Sequence, residues 1–337
     1  MKKLIWTLTL TASCSAPALA ADVTLKIAHF LPASAAAQQR VLEPWCKELG
    51  QASNGRIACQ FYPAMQLGGT PGQLADHALH GVADVVWTAP GYSAGRFPVI
   101  EAMELPFVVK DARSGSRAAW KFYQQYAQPE FSKYKVLAVH VDGGVALHTA
   151  NRPIKALGDI KGLKLRTPTR LASKTLAALG GEPVSMPPAQ VTEAISKGVV
   201  DGAMGAWEVV LPTKLDEVTK YHIQPAAGET YPSTTVLTLL MNKQKYDSLP
   251  ADLKTVIDAH SGLPLVEKFG QVWDDVAAET RAKVLAAGGQ VVDLTSADLS
   301  AMKNAARPVE QAWREDMDKK GQDGRKLSEA AHALARD

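Results

Sequence analysis

The chain has 337 residues, with 37 Lys and Arg against 34 Asp and Glu, so its formal net charge is +3. Basic residues are scattered among acidic ones, and the electrostatic footprint of a protein that tracks phosphates is absent from the sequence. The charge pattern therefore argues against a nucleic acid as partner, and the length predicts two domains rather than one core.

The first 20 residues predict a secretory signal peptide. Lys2 and Lys3 form a basic n-region, residues 4–12 form an apolar h-region, and Ala18-Leu19-Ala20 matches an A-x-A cleavage site. Cleavage after Ala20 would remove two basic residues and no acid, which leaves a formal net charge of 35 − 34 = +1.

The alternative to a released protein is a lipoprotein anchored through Cys14. The preceding Thr11-Ala12-Ser13 is a poor lipobox, so we expect release into the periplasm. No other apolar run approaches the roughly 18 residues needed to span a bilayer, and we expect the mature protein to be soluble.

Strand-like and helix-like segments alternate along the rest of the chain, which predicts an α/β fold. Short loops rich in Pro, Gly and Ala follow the strands, at the edge where open parallel sheets bind ligands. The predicted strands are 25–30, 56–62, 83–87, 135–141 and 162–166, and the predicted helices are 36–51, 71–80 and 168–179.

Two cysteines remain after cleavage of the signal peptide. Cys46 lies in the first predicted helix and Cys59 in the strand that follows it. An even pair in an oxidising compartment favours a disulfide. The alternative is two buried thiols that pack the helix against the sheet.

The segment 151–170 predicts an anion site. Lys164 to Arg166 form a short strand, and Thr167 is expected to cap a helix that has Pro168 at its first position. The junction brings together free backbone N–H groups, the positive end of a helix dipole and a guanidinium able to bind a carboxylate through two hydrogen bonds. Otherwise Arg166 would be a surface arginine paired with an acid. Arg170 lies one helical turn further on, where it either reaches the same anion or faces solvent.

This segment and several others resemble the solute-binding proteins of tripartite ATP-independent periplasmic (TRAP) transporters, the DctP-like family. In that family the arginine that matches Arg166 clamps the ligand carboxylate. The similar segments run in order along nearly the whole mature chain: 24–32, 53–69, 84–98, 104–107, 151–170 and 197–210.

The resemblance implies a two-lobed periplasmic-binding-protein-like α/β fold with a hinge and a long bracing helix. Lobe I would comprise 22–143 with about 231–269, and lobe II 144–230 with about 270–337. The bracing helix is expected within 249–287, with an interruption near Gly262. Closure of two lobes removes water from the cleft, which strengthens charged contacts there.

The resemblance also implies that residues at the strand ends contact the ligand. Alternation turns only one of His29 and Phe30 inward, and we favour Phe30, with His29 kept as a hydrogen-bond donor. Trp87, Tyr92 and Trp207 are either lobe packing or pocket wall. Arg166 would anchor the carboxylate, and the expected supporting residues are Thr169, Arg170, Phe30, Trp87, Tyr92, Met186, Met204 and Trp207.

Two departures from the family pattern bear on the ligand. Many relatives place a second arginine where this chain has Ala146, and an asparagine where it has Met204 and Gly205. Each unmet hydroxyl of a sugar acid in a closed cleft would cost roughly 1–3 kcal/mol. An aromatic or otherwise apolar monocarboxylate is therefore predicted, with a sugar acid or an aliphatic dicarboxylate as the alternative.

One motif suggests a different class of protein, a secreted serine esterase. Residues 91–95 fit G-x-S-x-G around Ser93, and Asp201 and His222 follow in the required order. The segment 95–98 breaks any helix after the serine, so we expect no enzyme.

The remaining predictions concern cofactors and partners. The eight histidines form no HExxH motif, and His77 with His80 have no acid or cysteine partner nearby, so we expect no metal and no cofactor, although some relatives bind a cation with a 2-oxo acid. The implied partners are a small carboxylate and the membrane permease of a TRAP transporter, and the implied state is a monomer or weak dimer.

Overall fold

A computed structural model describes residues 21–336, which are organised around two β-sheets. The predicted signal peptide and Cys14 lie outside the described residues. The strands are β1 (Val23–His29), β2 (Ile57–Tyr62), β3 (Val85–Thr88), β4 (Tyr134–Val141), β5 (Ala146–Thr149), β6 (Lys164–Thr167), β7 (Glu182–Ser185), β8 (Gly202–Gly205), β9 (Tyr221–Pro225), β10 (Val236–Asn242) and β11 (Gln290–Leu294).

Helices cover the sheets and connect their strands. They are α1 (Glu43–Ala52), α2 (Leu74–Leu79), α3 (Ala112–Phe122), α4 (Arg170–Ala178), α5 (Val191–Ser196), α6 (Trp207–Val210), α7 (Lys243–Ser248), α8 (Ala251–Ala259), α9 (Leu263–Ala286), α10 (Ser296–Lys319) and α11 (Gly324–Leu334). Within residues 21–336, no helix combines the length and the apolar composition that a membrane span requires.

The first sheet has the strand order β2-β1-β3-β10-β4. β1 runs parallel to β2 and β3, whereas β10 is antiparallel to β3 and β4. All seven residues of β10 are buried, as expected for a central strand with both faces covered. Trp45, Trp87 and Trp273 are among the largest fully buried side chains of this lobe.

The second sheet has the order β11-β9-β5-β8-β6-β7. β6 is parallel to both of its neighbours, and β5 is antiparallel to both of its own. Two smaller apolar clusters flank this sheet, one around Leu165 and Leu176 and the other around Val210 and Leu215.

The two sheets confirm the predicted two-lobed α/β fold with its long bracing helix. α9 contacts α3 and β4 of the first lobe and α6 and β11 of the second. It begins after Gly262, whose φ of 70° ends the preceding helical segment at the predicted interruption. α10 packs on α4 and β11, whereas α11 packs on α3. The residue bounds of the lobes stay a prediction.

The predicted disulfide is present. Cys46 of α1 and Cys59 of β2 are bonded, and their Cα atoms lie 6.2 Å apart. The bridge ties the first helix of lobe I to the edge strand β2.

The start of α4 differs from the prediction. Its N-cap is Thr169 rather than Thr167, and the Thr169 hydroxyl accepts a hydrogen bond from Ala172 N at 3.3 Å. Thr167 is instead the last residue of β6, and its hydroxyl bonds with that of Ser173 at 2.7 Å. The extended backbone of Thr169 delays the helix by two residues.

Candidate ligand-binding site

Arg166 is buried at the carboxyl half of β6, with 4% of its surface exposed. Its Nε donates to the carbonyl of Met186 at 3.0 Å, and its Nη1 donates to the carbonyl of Met204 at 3.1 Å. Its Nη2 is buried without a hydrogen-bond partner among the described residues. No acid within residues 21–336 forms a salt bridge with Arg166. Arg166 is therefore not a surface arginine paired with an acid. A buried cation that has no acidic partner favours an anionic ligand.

The charge of Arg166 persists despite its burial. Burial lowers the pKa of the guanidinium, and the neighbouring Tyr92 hydroxyl partly offsets that effect. An arginine side chain nevertheless stays protonated in proteins. The same burial raises the pKa of Tyr92, so its hydroxyl remains neutral and able to donate.

Arg166 faces a small cavity of about 30 Å³ between the two lobes. This volume is far below the roughly 300–1,000 Å³ typical of small-molecule sites, so binding of a ligand requires the residues around the cavity to move apart. Residues from both lobes line the cavity: Phe30, Trp87, Tyr92, Asp142, Val145, Arg166, Pro168, Pro188, Gly205, Ala206, Glu208, Val209, Thr235 and Leu237.

An aromatic cluster forms one wall of this cavity. Phe30 stacks on Trp87 with ring centroids 4.9 Å apart, and Tyr92 meets Phe30 edge-on at 5.2 Å. Trp87 is fixed because its indole N–H donates to His140 Nε2 at 3.0 Å. The wall therefore presents rigid apolar surface beside a buried cation.

Two predicted residues hold Arg166 through their main chains. Met204 is fully buried in the core of the second lobe, and only its carbonyl reaches Arg166. Met186 contributes its carbonyl and lines an adjoining cavity. Sequence patterns do not reveal such contacts, because any residue can supply a carbonyl.

This adjoining, outer cavity is larger, about 390 Å³, and shares Tyr92 and Pro168 with the first. Thr169 and Arg170 line it. Arg170 is ion-paired with Glu101, so its guanidinium is already engaged by an acid.

His29 and Trp207 lie outside the lining of the Arg166 cavity. His29 is buried, and its Nε2 bonds with Gln38 Oε1 at 2.9 Å. The Trp207 indole donates to Gln224 Oε1 at 2.7 Å, and its ring packs against those of His148 and His222.

The cavity is also lined by two acids that the sequence patterns did not indicate, Asp142 and Glu208. Asp142 directly follows β4, and its Oδ1 accepts hydrogen bonds from Gly144 N at 3.0 Å and Thr235 N at 3.1 Å. Burial raises the pKa of Asp142 to about 6. Burial and the nearby Asp142 raise the pKa of Glu208 well above its ordinary value. Two features of the sequence could have indicated these residues. Asp142 lies at the carboxyl end of a strand, and Glu208 lies inside segment 197–210.

The esterase residues are not assembled. Ser93 Oγ donates to the carbonyl of Gly72 at 2.7 Å, and Asp201 Oδ2 accepts from Lys164 N at 2.8 Å. His222 Nδ1 is within 2.8 Å of His148 Nδ1 in the second lobe. In the described part of the chain, these bonds connect none of the three candidates to another. Nor do residues 21–336 contain a group of three or more His, Cys, Asp or Glu side chains that could hold a metal ion.

The family model for bacterial extracellular solute-binding protein family 7, DctP, matches residues 27–316. The chain belongs to this family. Its members and solved relatives are solute-binding receptors of TRAP transporters, which take up small carboxylates together with membrane permease components.

Three solved structures of TRAP solute-binding proteins resemble this chain. A TRAP solute-binding protein from Rhodoferax ferrireducens T118, in complex with copurified benzoate, is 42% identical with a TM-score of 0.91, covering 93% of this chain and 98% of that one. A marine metagenome protein specific for aromatic acids, in complex with 3-hydroxybenzoate, is 40% identical with a TM-score of 0.91, covering 94% and 99%. A Bordetella bronchiseptica protein with bound (R)- and (S)-mandelate is 26% identical with a TM-score of 0.84, covering 93% and 99%.

Proposed function

We propose that this protein is the periplasmic receptor of a TRAP transporter for an aromatic monocarboxylate of the benzoate class. The observation that carries the proposal is Arg166, a buried guanidinium whose Nη2 has no partner in residues 21–336 and which faces an aromatic-walled cavity. The ligand carboxylate would supply that partner. The likeness to two proteins solved with benzoate and 3-hydroxybenzoate, at 42% and 40% identity, supports the same ligand class.

In this proposal the carboxylate binds Nη2 of Arg166, with the neutral Tyr92 hydroxyl as a second donor. The ring lies against Phe30, which Trp87 supports from behind. Stacking contributes roughly 0.5–1.5 kcal/mol beyond the buried area, which favours aromatic over aliphatic acids. No chemical step is needed, because the receptor captures its ligand and releases it to the permease unchanged.

The rival ligands are sugar acids and aliphatic dicarboxylates. Arg170 would have to supply their second anion contact, but it is paired with Glu101. Ala146 and Gly205 offer no side-chain donor at the positions where many relatives have polar groups. The single free guanidinium and the aromatic wall therefore match an aromatic monocarboxylate better.

A thermal-shift screen tests this proposal. Ligands that bind only the folded state raise the unfolding temperature, so benzoate, phenylacetate and mandelate should each do so in the millimolar range or below. Succinate and glucuronate serve as matched negative compounds. A shift with either of these and none with the aromatic acids would overturn the proposed ligand class.

A further inference from the structure

The Arg166 cavity contains two buried acids that carboxylate binding does not require. Asp142 and Glu208 are 8% and 5% exposed, and they come from different elements, the segment after β4 and helix α6. Apart from them, the polar side chains of the lining are those of Arg166, Tyr92 and Thr235. The cavity is thus a mostly apolar space with a cation and two carboxyls on its wall.

Few donors reach these carboxyls. Asp142 Oδ1 accepts two backbone N–H groups, and the Thr235 side chain lies beside the carboxyl as a further donor. The indole N–H of the neighbouring Trp273 is the side-chain donor available to Glu208. No Lys or Arg within 21–336 forms a salt bridge with either acid. Since both acids line the cavity without a cationic partner, they are positioned to accept a further hydrogen bond from a ligand.

We propose that Asp142 and Glu208 accept a hydrogen bond from a hydroxyl group on the ligand, so that the receptor selects hydroxylated aromatic acids over benzoate itself. This inference rests on the proposed function, because it assumes that Arg166 holds the carboxylate at another part of the same cavity. Asp142 and Glu208 would then determine which substituents on the aromatic ring of the ligand the receptor prefers.

The presence of two acids in a site for an anion has a physical explanation. Because burial raises the pKa of both carboxyls, and the nearby Asp142 raises that of Glu208 further, the two do not both ionise readily. The ionised partner accepts a hydroxyl proton, and the protonated one adds no negative charge beside the ligand. Benzoate, which has no hydroxyl, cannot supply this hydrogen bond.

Calorimetric titration of the wild-type protein provides the primary test. The ligands are benzoate, its three monohydroxy isomers and the three corresponding methoxy compounds, which keep the oxygen but cannot donate. We expect at least one hydroxy isomer to bind about tenfold tighter than benzoate or better, as one hydrogen bond to a charged acceptor permits. Its methoxy counterpart should lose this gain.

Two variants assign the effect to the residues. Asp142→Asn keeps an oxygen for the N–H groups of Gly144 and Thr235, and Glu208→Met keeps approximate volume without an acceptor. Each should reduce the preference for the hydroxy isomer to within about threefold while benzoate still binds. Glu104→Gln is the matched control, since this buried acid is not part of the cavity lining, and it should keep the full preference.

Three results would overturn the inference. One is the absence of any gain from a hydroxyl at all three positions in the wild type, with benzoate bound normally; this leaves the proposed function intact. Another is a gain that survives in both variants. The third is no binding of any aromatic acid, which removes the proposed function as well.

Discussion

At the residue scale, Arg166 is oriented by two main-chain carbonyls rather than by an acid. Met186 and Met204 each accept one of its N–H groups, which fixes the plane of the guanidinium and leaves Nη2 for a ligand. This arrangement positions a permanent cation without neutralising it. The ligand carboxylate can therefore form the first ion pair that the side chain makes in the cavity.

Replacement of Arg166 by lysine should weaken binding strongly without unfolding the protein. An ammonium cannot donate to the two carbonyls and to a carboxylate in the same planar geometry. We expect the Kd for benzoate to rise at least about 30-fold, equivalent to about 2 kcal/mol. Calorimetry measures the Kd, and circular dichroism checks the fold.

Arg170→Lys is the matched control for this experiment. Arg170 is paired with Glu101 and lines the outer cavity, so its replacement should change the Kd less than about fivefold. An unchanged Kd in folded Arg166→Lys protein would contradict the assignment of the anchor.

Glu104 should make the stability depend on pH. Its Oε1 accepts from Val236 N at 3.0 Å, while burial and then the nearby Glu101 raise its pKa to about 8. A group whose folded pKa lies above its unfolded value of 4.5 contributes stability that is complete below pH 4.5 and is lost as the pH rises through about 8. Glu104→Gln keeps the acceptor oxygen and lacks this loss.

The unfolding temperature of Glu104→Gln relative to wild type should therefore rise between pH 5 and pH 8.5. Glu329→Gln, at an exposed position of α11, should show the same difference from wild type at both pH values. A pH-independent difference for Glu104→Gln would mean that the carboxyl ionises at its ordinary pKa.

The sequence indicated which strand ends lie near the cavity, but it did not indicate which side chains there face the cavity. Phe30 and Trp87 line the cavity, whereas the side chains of Met204 and Trp207 belong to packed clusters. Alternation gives two faces for a strand, but the neighbouring element decides which one is the cleft. Asp142 could not be recognised from the sequence, because its partner Thr235 lies 93 residues later in the chain. Ligand contact by each of these residues stays a prediction.

At the element scale, the disulfide joins α1 to β2 across a sequence separation of 13 residues. Replacement of both Cys46 and Cys59 by alanine should lower the free energy of unfolding by roughly 2–4 kcal/mol, because the cross-link restricts the unfolded chain. Denaturant unfolding at fixed ligand concentration measures this. Benzoate affinity should be retained, since neither cysteine lines the cavity. Equal stability of the double variant and the oxidised wild type would contradict the structural role.

The segment around Ser93 lacks the frame of a nucleophile elbow. A short 3₁₀ turn, Pro90–Tyr92, precedes the serine, and the next α-helix in the described chain, α3, begins only at Ala112. We expect no hydrolysis of p-nitrophenyl esters above that of Ser93→Ala protein. Turnover by the wild type that disappears in Ser93→Ala would instead support the esterase.

Helix positions could be predicted better than helix ends. The expected helix 168–179 exists as α4, but its cap moved from Thr167 to Thr169, because both residues are good caps and β6 extends through Thr167. The helix expected at 36–51 begins with a π-helical turn at Ala37–Leu42 before α1. More than one residue near the end of a helix can serve as its cap, and the pairing of the neighbouring strand determines which one does.

At the scale of the whole molecule, the chain passes from the first sheet to the second at residues 142–145, returns at 226–235 and passes to the second sheet again between β10 and β11. Asp142 links the first two passages, since its Oδ1 accepts from both Gly144 and Thr235. The resemblance to TRAP receptors predicted two lobes, but strand order could not be read locally. β10 enters the first sheet between β3 and β4, and only long-range packing specifies that position.

A crystal structure of the protein with benzoate is the most direct test of the central claim. We expect one benzoate in the cavity between the lobes, with a carboxylate oxygen within about 3 Å of Arg166 Nη2 and the ring in contact with Phe30 and Tyr92. Benzoate bound only in the outer cavity beside Arg170, with Nη2 of Arg166 still unpaired, would contradict it.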